Sequence, residues 1–91
     1  MIRNFRTKGL KELFQTGESP KIGDDYKRKI IRILDFLNVV TKPEDMDIPG
    51  FNFHGLKGKP KRYSVHVNGN YCITFAWEGE DAIHVKFEDY H

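Results

Sequence analysis

The stretch Arg62-Tyr63-Ser64-Val65-His66-Val67, then Asn68-Gly69-Asn70, then Tyr71-Cys72-Ile73-Thr74-Phe75-Ala76-Trp77 decides the fold. Two runs rich in β-branched and aromatic residues flank a cluster of turn formers, which is the pattern of an antiparallel hairpin. Its register follows from where the apolar side chains fall. A two-residue Asn68-Gly69 loop pairs Val65 with Cys72 and mixes polar with apolar residues on each face. A three-residue loop, Asn68-Gly69-Asn70, pairs Val67 with Tyr71, Val65 with Ile73 and Tyr63 with Phe75. The second register gathers the large apolar side chains on one face, and a slip of one residue would exchange the faces. The three-residue loop is therefore expected.

The segment Ala82-Ile83-His84-Val85-Lys86-Phe87 reads as a third strand of the same meander. Carried over with the same parity, Ile83, Val85 and Phe87 join the apolar face. The opposite face then displays Ser64, His66, Cys72, Thr74, His84 and Lys86, small or polar residues that leave it open. A plain solvated sheet face satisfies that alternation equally well. What favours function is the run Asp89-Tyr90-His91 directly after the strand. A carboxylate, a phenol and an imidazole at the edge of a polar face suggest proton-transfer chemistry.

Upstream, Ile2 to Arg6 can form a short edge strand. Thr7 is placed to cap a helix carrying Leu10, Leu13 and Phe14 on one face, with Gly17 as its stop. Asp24 or Asp25 opens a longer helix whose buried stripe is Tyr26, Ile30, Ile33, Leu34 and Leu37. Its other faces carry Lys27, Arg28, Lys29 and Arg32, a solvated surface by default and a basic one for RNA otherwise. One helical turn is expected around Pro43-Glu44-Asp45-Met46, and strand-like alternation resumes at Phe51-Asn52-Phe53-His54. Gly55 to Lys61 forms a glycine-bounded basic loop leading into the meander. The order predicts an α+β fold with two N-terminal helices on one face of a mainly antiparallel sheet.

The 91 residues make a single domain, 1–91, whose folding buries about 60–65% of the extended chain's surface. Net charge is only +2, yet Lys57, Lys59, Lys61 and Arg62 crowd one loop, which suits an anionic partner at one place. One cysteine excludes an internal disulfide and fits a reducing compartment. No signal peptide, membrane-length apolar run or lipidation motif stands out, so a cytoplasmic protein without a membrane partner is expected.

The candidate chemistry gathers His54, Lys57, Asp89, Tyr90 and His91. No serine or cysteine lies in a nucleophile motif and no glycine-rich nucleotide loop is present. His54, His66, His84 and His91 lack ligand spacing, so neither a metal nor another cofactor is expected. Such a set suits RNA cleavage, in which the RNA's own 2′-hydroxyl is the nucleophile. That reaction needs a base for the hydroxyl, a cation for the phosphorane charge and an acid for the leaving oxygen.

These residues also carry a family resemblance. Lys8-Gly9-Leu10, Phe14 to Gly17, Arg32-Ile33-Leu34-Asp35, Pro43-Glu44-Asp45-Met46, Leu56-Lys57-Gly58, Asn70-Tyr71-Cys72-Ile73-Thr74-Phe75 and Glu88-Asp89-Tyr90-His91 run nearly end to end. Together they resemble the HigB, or plasmid-maintenance killer-protein, group of RelE-type toxins.

The resemblance implies a RelE-like fold and a metal-independent, ribosome-dependent endoribonuclease, an mRNA interferase that cuts mRNA in the ribosomal A site and inhibits translation. It also implies a helix-turn-helix, HigA-like antitoxin. Carried over by position, Lys57 stabilises phosphate charge, His54 and His91 transfer protons, Asp89 orients or shares a proton, and Tyr90 positions or stacks on RNA. Lys59, Lys61, Arg62, His66, Cys72 and Thr74 line the expected RNA surface. Many members of the group have an arginine where Cys72 stands, so either activity is reduced or the basic loop takes over the phosphate. The alternative is a RelE-fold module that binds the ribosome or an antitoxin without cutting RNA.

Overall fold

The computed structural model describes residues 1–89, so the expectations for Tyr90 and His91 lie outside the described residues. Helix α1 spans Lys8–Thr16 and α2 spans Asp24–Val39, followed by a 3-10 turn, Pro43–Met46. Four strands follow, β1 (His54–Leu56), β2 (Arg62–His66), β3 (Tyr71–Glu78) and β4 (Asp81–Asp89). They form an antiparallel sheet in the order β1-β2-β3-β4. This is the expected α+β arrangement. Among the described residues no helix is long and apolar enough to cross a membrane.

The hairpin takes the three-residue loop. Tyr63 pairs with Phe75, Val65 with Ile73 and His66 with Cys72. The Asn68 side-chain carbonyl accepts from the N–H groups of Asn70 (2.8 Å) and Tyr71 (2.9 Å), so one amide satisfies two turn donors and holds the register. Val65, Val67, Ile73 and Phe75 enter one core with Leu10, Leu13, Ile30, Ile33, Leu34 and Leu37, while Tyr63 and Tyr71 pack against it.

Each helix has a local cause. Leu10 and Leu13 of α1 are buried, and Gly17, at φ 80°, gives its N–H to the Leu13 carbonyl to close the helix. Thr7 precedes α1 without the expected side-chain cap; its hydroxyl instead accepts from the Phe87 N–H at 2.9 Å and ties the helix start to β4. Asp24 and Asp25 stand in the first turn of α2, where carboxylates favour the helix dipole. The α2 cations are largely occupied. Arg32 lies over the rings of Phe36 and Phe51, Lys29 donates to the Gly50 carbonyl, and Lys27 pairs with Glu18 and Asp24.

Three further expectations need correction. The strand expected over 51–54 begins only at His54, and Gly55 and Leu56 belong to it, not to the loop. The edge strand over 2–6 is reduced to two parallel bridges, Ile2 with Ala82 and Phe5 with Val85. The parity of β4 is not constant: Thr74 pairs with Lys86 but Ala76 pairs with Ile83, so β4 carries an extra residue across from Phe75. His84 lies in this bulge at φ 54°, and its N–H is taken by the Asn4 side-chain carbonyl. The bulge puts Ala82 in the helix-side core and leaves Ile83 in register with Ala76, on the other side.

A β-branched side chain resists positive φ, so His84→Val should cost about 1–3 kcal/mol of stability in chemical denaturation. His84→Gly should cost less, because glycine enters that region freely.

Candidate active site

The sheet face away from the helices is built from alternating positions on three strands and the short β1. Across it run three rows, Leu56–Arg62–Ala76–Ile83, His54–Ser64–Thr74–Lys86 and His66–Cys72–Glu88. The sequence leads one to expect this face to be open. It is partly covered: Ser64, Cys72 and Thr74 are buried at 1%, 4% and 2% exposure. They are not under the helices, since Ile73 and Phe75, which alternate with them, hold the helix-side core. Over Thr74 two longer side chains meet. Arg62 donates to the Thr74 hydroxyl, which in turn donates to Glu88, and Arg62 Nη2 stands 3.2 Å from Glu88 Oε2.

One end of this face holds paired imidazoles. Phe51 is fully buried and its carbonyl accepts the His66 N–H at 2.7 Å, which pins the segment entering β1 beside β2. Asn52 follows at φ 48°, a conformation asparagine tolerates. Its backbone carbonyl lies 3.1 Å from His54 Nδ1 and its side-chain Nδ2 lies 3.2 Å from His66 Nε2. A carbonyl can only accept, so His54 Nδ1 carries the proton and, in the neutral ring, Nε2 keeps the lone pair. An amide NH2 can only donate, so the His66 ring accepts. The two rings lie edge to face with centroids 5.8 Å apart.

The other expected residues divide. Lys57 is exposed one position past the end of β1, and Lys59 and Lys61 are exposed in the loop that follows. The Lys61 ammonium lies 5.5 Å from the centre of the Tyr63 ring. Cations thus gather at the β1–β2 end, beside His54. Asp89 ends β4 across from Tyr71, in register with the helix-side residues and one position out of phase with Glu88. The register puts His54, Arg62, His66 and Thr74 on one face of the sheet, leaves Lys57 in the loop past β1 and sets Asp89 in a different row. Tyr90 and His91 lie outside the described residues.

Sequence reasoning missed Asn52 and Glu88. Asn52 was hidden in an apolar-polar alternation read as strand, although asparagine's tolerance of positive φ was a signal. Glu88 stood in the quoted run Glu88-Asp89-Tyr90-His91, although it alternates with Lys86 on β4. A groove of about 400 Å³ on the outer side of α2, lined by Ile31, Phe36 and Val39, has Asp35 as its one lining carboxylate and no imidazole. The imidazoles of His54 and His66 are on the sheet.

His66 is held below the ordinary imidazole range, first by burial and then by the positive charges of His54 and Lys29. Folding therefore favours its neutral form. Its contribution to stability is complete above the unfolded-state value of about 6.5 and is lost as pH falls toward the lower folded value. NMR titration should show His66 losing its proton below the range of a free histidine, and His54→Gln should move it upward. Acid loss of stability should be smaller in His66→Gln.

Two comparisons bear on this arrangement. Residues 3–91 match the family described as RelE-like toxin of type II toxin-antitoxin system HigB. The chain is also 33% identical over 92 residues to the Endoribonuclease HigB of Proteus vulgaris, across 100% of both chains. A match that takes in both helices, all four strands and the sheet face carrying His54 makes this chain a member of the HigB family of RelE-like toxins of type II toxin–antitoxin systems.

Proposed function

We propose that this protein is an endoribonuclease that cuts mRNA on the ribosome, with the sheet face away from the helices as its RNA surface. The observation that carries the reading is His54. Its Nδ1–H is fixed on the Asn52 carbonyl, which leaves Nε2 as a base at an exposed strand end, close in sequence to the exposed Lys57. In this mechanism His54 takes the proton of the 2′-hydroxyl, and the oxygen attacks the adjacent phosphorus. Lys57, with Lys59, Lys61 and Arg62 nearby, meets the charge that builds on the phosphorane.

His91 donates the proton to the leaving 5′-oxygen, Asp89 orients that transfer, and Tyr90 stacks on RNA. His66, Cys72 and Thr74 line the RNA surface, His66 as a neutral ring beside His54. The chemistry needs no metal, because the nucleophile belongs to the substrate.

A toxin of a type II system is paired with an antitoxin, and we propose a helix-turn-helix, HigA-like protein in that role. Ribosome dependence follows from charge and shape. Phosphate contacts supply most non-specific RNA affinity, and a net charge of +2 provides little of it. Alignment in the A site supplies the rest of the barrier reduction. The site of action is then the cytoplasm.

Primer extension on mRNA after pulsed expression tests this directly. New 5′ ends within translated codons are expected, and binding without new ends would assign the chain to a non-cleaving module. His54→Ala should lower cleavage by about 10²–10⁴-fold, and Lys57→Ala by about 10²–10³-fold. Rapid cleavage of naked mRNA by the purified protein would contradict ribosome dependence.

A further inference from the structure

The centre of the RNA-facing sheet surface is already occupied by an ion pair. Arg62 crosses from β2 over Thr74 of β3 to Glu88 of β4, so one guanidinium spans three strands. The Thr74 hydroxyl accepts from Arg62 and donates to the same Glu88 oxygen that Arg62 faces. Arg62 and Glu88 side chains retain 30% and 33% exposure, so both can be reached from outside. Arg62 Nε is buried with no acceptor among the described residues. The other Glu88 oxygen lies 3.9 Å from Lys86 Nζ, a second cation able to receive the carboxylate.

This is a poor device for stability alone. A half-buried ion pair recovers little beyond its own desolvation, and a buried N–H without an acceptor is a further cost. It is well suited to holding a guanidinium ready for an anion. Arg62 and Ser64, the residue paired with His54, lie on the same face of β2, about 7 Å apart along the strand. A planar guanidinium offers the two-pronged contact that phosphate oxygens fit, which an ammonium cannot supply.

We propose that Arg62 is the residue that grips the RNA phosphodiester at the cleavage site, and that Glu88 holds its place until RNA arrives. On binding, phosphate oxygens replace the Glu88 carboxylate on Arg62, and Glu88 turns to Lys86. Thr74 remains beneath, its hydroxyl keeping the guanidinium aimed. No covalent bond changes in this exchange; one anion replaces another on the same donor. The inference rests on reading the chain as a ribonuclease.

The test is ribosome-programmed mRNA cleavage under single-turnover conditions, read with thermal melting for each variant. Arg62→Ala should lower the cleavage rate by about 10²–10³-fold. Arg62→Lys should melt near the wild type yet recover only part of that loss. Glu88→Gln weakens the competitor for Arg62, so it should lower the half-saturating concentration several-fold relative to the maximal single-turnover rate, an effect that a merely structural pair would not produce.

Wild-type cleavage by Arg62→Ala or Arg62→Lys overturns the proposal. So does a Glu88→Gln variant whose cleavage falls in step with its melting temperature. Should Arg62→Ala fail to fold, Arg62→Lys and Glu88→Gln decide the question. The parent reading fails separately: a wild-type protein that leaves no new 5′ ends sinks both, whereas loss of cleavage in His54→Ala with none in the folded Arg62 variants sinks this proposal only.

Discussion

The pairing of β2 with β3 is the constraint on which the rest of the structure depends, and a single side chain helps to fix it. Asn68 accepts two backbone N–H groups of its own turn, and that geometry brings Tyr63 opposite Phe75 and Val65 opposite Ile73. A sheet has a period of two, so the choice assigns every side chain of both strands to a face at once. The apolar set is committed to the helices. What is left over, Arg62, Ser64, His66, Cys72 and Thr74, forms the other surface. The core and the candidate site are two consequences of one register.

That second surface is not a bare sheet face, and its cover explains much of its chemistry. Small side chains at Ser64, Cys72 and Thr74 lie low enough for longer ones at the margins to reach across them. Arg62 and Glu88 meet over Thr74 from opposite sides, while Asn52 holds the two imidazoles of His54 and His66 at the β1 end. Each polar group is thereby given an orientation before any substrate is present, and such preorganisation is what charge stabilisation in a transition state requires. A surface of flexible cations would bind phosphate but would not select one phosphodiester bond.

Much of this was legible in the sequence, for reasons that can be traced residue by residue. The helices declared themselves through Leu10 and Leu13, and through Ile30, Ile33, Leu34 and Leu37, because a helix must bury one stripe. The hairpin register was legible because only one loop length separates apolar from polar side chains. The His84 bulge was not, since it depends on the Asn4 carbonyl supplied from the far end of the chain. Ile83 was accordingly assigned to the wrong face. The cover over Thr74 was hidden for a related reason: alternation reports which way a side chain points, not what reaches over it. Asn52 escaped because its role lies in a turn that local apolar periodicity disguised as strand. Asp89, grouped with His54 by sequence chemistry, falls in the row of Tyr71.

The central claim is that RNA lies against the sheet and not against the helices. It can be tested by photocrosslinking 4-thiouridine, placed in the A-site codon of a ribosome-bound mRNA, to the protein and mapping the modified peptides. The account predicts crosslinks within residues 54–66 and 71–76, the strands and basic loop around His54, Arg62 and Thr74. Crosslinks confined to α2, on the outer side marked by Arg28, Arg32 and Phe36, would contradict it.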